Sequence, residues 1–110
     1  MKKYAVQYAY DRGIYNSMLS MSDVEIVVDT NPITYKEALD IFNANLEDFK
    51  YRLEENQRPN LVIWEDVGDG KFPNYHTTLV DLNWVDNLEI RNGKFYKVSK
   101  IEDEIELPIT

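Results

Sequence analysis

Six carboxylates and one histidine make up the part of this chain best equipped for chemistry. Between Leu61 and Ile90 stand Glu65, Asp66, Asp69, Asp81, Asp86 and Glu89, with Lys71 as the only basic residue among them. Clustered carboxylates can hold Mg²⁺ or Ca²⁺ through oxygen. The run Asp66-Val67-Gly68-Asp69-Gly70 lacks the alternating acids of a calcium loop, however. A pair of carboxylates can also cleave a glycoside if one is held protonated, but no pocket that would enforce such a split is legible here. His76 is the only imidazole, and a surface or hydrogen-bonded structural role suits a lone histidine between a loop and a strand. Gly70-Lys71 is followed by Phe72 where a phosphate loop needs Ser or Thr. Without cysteine, and with one histidine, a zinc set is out of reach. The expectation is therefore no catalytic set, no metal and no cofactor, with the six acids serving instead as a partner-binding surface.

Charge narrows the partner. The 110 residues carry a formal net charge of −8, which disfavours gripping nucleic acid, where Lys and Arg must displace counterions. It equally disfavours anionic membranes. A protein with a basic surface is the natural counterpart. One such partner is a nucleic-acid-handling enzyme whose phosphate channel carboxylates could occupy, as a phage-type, anti-CRISPR-like inhibitor would do. A structural or assembly homodimer, through an edge strand or the Leu107-Pro108-Ile109 tail, is the second expectation. A small carboxylate-metal enzyme is the third. The absence of cysteine fits a reducing, cytoplasmic interior. No apolar run approaches the length of a membrane span, and Lys2-Lys3 leads into a strand, not a signal sequence.

The elements that must position these residues are those of one α+β domain over residues 1–110. The spacing predicts one long helix over 34–56, since Tyr35, Leu39, Phe42, Leu46, Phe49 and Leu53 recur on one face. Thr34 and Glu37 form a capping box at its start, and Pro59 closes off any continuation. Strict alternation over Lys3–Tyr10 predicts a strand with Tyr4, Val6, Tyr8 and Tyr10 on one face, the tyrosine hydroxyls reaching water. Val24–Val28 reads as a strand with Val24, Ile26 and Val28 inward. Leu61–Val67 reads as a central strand buried on both faces. In Thr77–Trp84, the residues Val80, Leu82 and Trp84 share a face.

Asn92-Gly93 is the preferred type I′ hairpin turn and sets Arg91 opposite Lys94, Ile90 opposite Phe95 and Glu89 opposite Tyr96. Ile14–Ser22 is open between helix, strand and loop. The tail from about residue 101 is either an edge strand or a loose acidic arm. The expected architecture is a mainly antiparallel sheet of five or six strands with the single helix on one face.

Overall fold

A computed structural model describes residues 3–11, 24–66, 76–98, 103–105 and 107. Two sheets and two helices make up this part of the chain, in the order β1 (Lys3–Asp11), β2 (Val24–Asp29), α1 (Tyr35–Ala44), α2 (Leu46–Glu54), β3 (Asn60–Asp66), β4 (His76–Asn83), β5 (Leu88–Arg91), β6 (Lys94–Lys97) and β7 (Asp103–Glu104). The α+β class and antiparallel pairing are as the sequence implies. The single sheet and single helix are not. Four strands pair in the order β2-β1-β3-β4, and three form a separate sheet in the order β5-β6-β7.

The long rod is broken at Asn45. The Asn45 Nδ2 donates to the Ile41 carbonyl at 2.7 Å, capturing an acceptor that the backbone four residues on would otherwise use. The Asn45 N–H then bonds to the Phe42 carbonyl at 3.1 Å, and the turn tightens. The capping box forms as expected, with Thr34 Oγ1 accepting from the Glu37 N–H and the Glu37 carboxylate accepting from the Thr34 N–H. Of the six stripe residues, Leu39, Phe42 and Phe49 are buried, and Leu46 and Leu53 pack partly against the core. Tyr35 is largely exposed, its ring 5.0 Å from that of Tyr4.

Inward residues of β1, β3 and β4 meet α1 and α2 in one core, which includes Val6, Tyr8, Leu61, Ile63, Val80 and Leu82. Leu61, Val62 and Ile63 are all buried, so β3 is central as expected. The Tyr8 hydroxyl is not wet. It donates to Asp48 Oδ2 at 2.6 Å, tying β1 to α2. The second sheet joins this core through Phe95, whose ring meets Phe49 edge-on at 5.8 Å. Its hairpin has the expected register, Arg91↔Lys94, Ile90↔Phe95 and Glu89↔Tyr96, and Asn92 and Gly93 both take positive φ.

A bulge in β2 and the end of β4 overturn two side-chain assignments. Tyr8 pairs with Val28 but Ala9 pairs with Ile26, so Val27 is the extra residue. A bulge reverses the in–out alternation beyond it. Val24 and Ile26 therefore face away from the core, 55% and 59% exposed, and only Val28 points inward. In β4 the extra residue is Leu79, between the partners of Ile63 and Trp64. Trp84 does not share the face of Val80 and Leu82, because the chain leaves β4 there for a 3-10 turn over Trp84–Asp86.

The tail adds β7 to the edge of β6, with Tyr96 opposite Glu104. Ile14–Ser22, Asp69 and the turn around it lie outside the described residues. No helix among the described residues is long and apolar enough to cross a membrane.

Candidate interaction groove

Three adjoining depressions form a groove where the end of α2, the start of β3, the 3-10 turn and β5 converge. The central one, about 380 Å³, is lined by Leu53, Asn56, Arg58, Trp84, Asn87 and Leu88. Through Leu53 and Leu88 it continues into one of about 270 Å³ along Glu54, Glu89 and Ile90. Through Arg58 and Trp84 it continues into one of about 180 Å³ that reaches Tyr10, Asp11, Val24 and Asn60.

Local sequence builds the rim from residues that accept unusual backbone. Asn56, Arg58 and Asn87 all adopt left-handed φ of 58°, 50° and 51°. Asparagine tolerates this region. Arginine does so at a cost of about 1–2 kcal/mol, and the following Pro59 restricts it further. Left-handed backbone outside glycine concentrates at sites that bind or switch, and three of the four such residues among those described stand around this one depression.

Surrounding contacts over-determine the conformation. The Gln57 N–H bonds to the Arg52 carbonyl at 2.9 Å, and the Gln57 carbonyl accepts from Asp11 N–H at 2.7 Å. Arg52 Nη1 donates to the Gln57 side chain at 2.7 Å. Across the groove, the Trp84 N–H donates to the Pro59 carbonyl at 3.1 Å, and the Asn83 side chain accepts from the Val85 N–H.

Each aromatic ring at the groove carries an arginine. The Arg58 guanidinium lies 5.3 Å from the Trp84 ring centre and 4.0 Å from the Asp11 carboxylate. Arg52 stacks over Tyr10 at 4.0 Å and reaches Asp48. Trp84 is still 40% exposed, and Val85 beside it is more so. An exposed tryptophan flanked by arginine and aliphatic side chains is the composition of an interface anchor.

The six sequence-predicted acids do not converge on this groove as a set. Glu89 lines it, bound to Arg91 by two hydrogen bonds of 2.9 and 3.0 Å. Asp86 shares the turn of Trp84, with its carboxylate 3.8 Å from Lys97 Nζ. Glu65 and Asp66 stand at the other end of β3, opposite Thr77 and His76, roughly 20 Å away at the rise of an extended strand. Asp81 pairs with Val62 in mid-strand. Its Oδ1 is shut off from the surface and has no hydrogen-bond partner among the described residues. Burial first, and Asp86 second, push its carboxyl above the usual range, while Lys97 works against them. No group of three or more metal-ligating side chains comes together among the described residues.

What replaces those acids is the end of α2. Glu54 lines the groove and Glu55 caps the helix beside it. Neither has an ion-pair partner among the described residues, and both stand at the negative end of the helix dipole. Sequence reasoning missed Arg58 and Trp84. The signal available was Asn56-Gln57-Arg58-Pro59, where asparagine after a helix marks a left-handed cap. In comparison with known proteins, no family model matches the chain, and no curated protein or solved structure matches it either.

Proposed function

We propose that this chain is a small acidic interaction module, without catalysis of its own, that docks on a basic surface of another protein through the groove around Trp84. The observation that carries this reading is the groove's composition. An exposed tryptophan and the aliphatic side chains of Leu53 and Leu88 lie next to Glu54 and Glu55, which have no ion-pair partner among the described residues. The apolar floor supplies affinity through desolvation, and the carboxylates steer a cationic partner and select for it. The net charge of −8 extends that steering over the whole molecule. Inhibition of a nucleic-acid-handling protein is the sharper form, with carboxylates standing where phosphates would lie.

Affinity capture with mass spectrometry tests the reading when wild type is run beside Trp84→Ala and Glu54→Lys, at low and moderate salt. The expected result is a set of basic proteins whose capture weakens with salt and is lost with both variants. Capture that ignores both substitutions removes the groove from the proposal.

A homodimer is a second reading, favoured by β2, the edge strand among the described residues, where Val24, Ile26 and Val27 are exposed. It predicts a concentration-dependent dimer in sedimentation that persists at high salt and disappears in Ile26→Lys.

A further inference from the structure

β5 is an edge strand of its sheet, and its unpaired side faces the groove. The two-residue turn at Asn92-Gly93 fixes which backbone groups point that way. In such a hairpin the residues flanking the turn, Arg91 and Lys94, exchange the first pair of hydrogen bonds, and bonding then alternates along the ladder. Glu89 and Tyr96 form the next bonded pair. Ile90 and Leu88 stand between bonded pairs, so their N–H and C=O groups turn away from β6 toward the open edge. That edge borders the depression formed by Leu53, Glu54, Leu88, Glu89 and Ile90. Among the described residues no strand covers it.

We infer that the groove captures an extended, basic segment of the partner protein, which adds as a strand to the open edge of β5 and places a lysine or arginine against Glu54. This rests on the docking reading above and specifies the partner's form. Main-chain bonds to Leu88 and Ile90 hold the segment in register, while pockets for alternate side chains give selectivity, as in other strand additions. Charge sets the sign of the occupant. Glu54 and Glu55 stand at the C-terminal end of α2 without an ion-pair partner among the described residues, where the helix dipole already favours a cation. Arg58, the nearest cation of the central depression, is held 4.0 Å from the Asp11 carboxylate and lies over Trp84, so it forms part of the wall. Strand addition also fits the shortness of β5. Four residues present few open groups, which limits indiscriminate pairing, and the Trp84 floor beyond Leu88 extends the contact past the strand's end.

The full chain, isotopically labelled, tests this against three synthetic nonapeptides by nuclear magnetic resonance. The first alternates arginine with valine, the second replaces arginine by glutamate, and the third repeats the first with N-methyl groups on alternate backbone nitrogens. N-methylation keeps side chains and charge but removes strand donors. The expected result is movement of the Leu88 and Ile90 amides and the Trp84 indole with the first peptide, and binding about tenfold weaker with each of the others. If the N-methylated peptide, methylated in either alternating set, binds as tightly as the first at Trp84, strand addition is wrong while docking at the groove stands. If the arginine peptide leaves the Leu88 and Ile90 amides unmoved at millimolar concentration, the inference is overturned. If, in addition, Trp84→Ala and Glu54→Lys leave partner capture intact, the docking reading falls with it.

Discussion

Replacing Tyr8 by phenylalanine isolates one bond that joins the first sheet to α2. The Tyr8 ring is fully buried, so phenylalanine fills the same space and leaves no cavity. What is lost is the hydroxyl's 2.6 Å bond to Asp48 Oδ2. A hydrogen bond to a charged acceptor contributes about 1.5–3 kcal/mol. The Asp48 side chain is 42% exposed and retains Arg52 at 3.5 Å, so water and the guanidinium recover part of the loss. A net destabilisation of about 1–2 kcal/mol is expected near pH 7, readable as a shift of the urea midpoint at unchanged slope.

The same substitution has a signature in alkali. Burial first, then the bond to Asp48, raise the Tyr8 phenol far above its ordinary value. The folded chain therefore keeps this proton while the unfolded chain loses it. The stabilisation is complete below about pH 10 and is lost as pH rises beyond it. At pH 11 the unfolded state of wild type has gained about 1.4 kcal/mol from ionising this one phenol, a gain phenylalanine cannot make. The gap between the two proteins should shrink to near zero between pH 10 and 11. A gap that stays constant across that range, or no gap at pH 7, would refute the reasoning about this bond.

Two further substitutions probe neighbouring features. Asp81→Asn should stabilise the protein at pH 7. The native carboxyl is held above its usual range, so its contribution favours the fold at low pH and is lost as pH rises from about 3.9 through the raised native value. Denaturation curves of the two proteins should converge near pH 3 and separate at neutrality, and a less stable Asn variant at pH 7 would count against the burial argument. Phe95→Ala removes the one side chain of the β5-β6-β7 sheet that is fully buried among the described residues, at a cost of about 3–5 kcal/mol. Amide hydrogen exchange should then speed up first in β5 and β6. Uniform acceleration through β1 and β3 would mean that the two sheets open as one unit.

Sequence and tertiary structure divide this protein along the range of the interactions involved. The Thr34–Glu37 capping box, the alternation of Lys3–Tyr10 and the Asn92-Gly93 hairpin with its register were legible because each depends on residues a few positions apart. The buried stripe through Leu39, Phe42 and Phe49 was legible for the same reason. The groove was not. It depends on Asn56, Arg58, Trp84 and Leu88 meeting across the chain, and no local spacing encodes such a meeting. Asn45 lies within the helical spacing, and the side-chain bond it makes to the Ile41 carbonyl at the point where α1 gives way to α2 is not encoded in that spacing.

Only the strand pairing revealed the extra residues Val27 and Leu79, and the one at Val27 exchanged the faces of the residues before it. That exchange exposed Val24 and Ile26. By leaving β4 at Trp84, the chain left partly exposed a tryptophan whose spacing had set it on the face of Val80 and Leu82. Local sequence set the pleat and pitch of each element. Which side faced water was decided by the pairing between strands, because one extra residue in a strand reverses the faces of the residues beyond it.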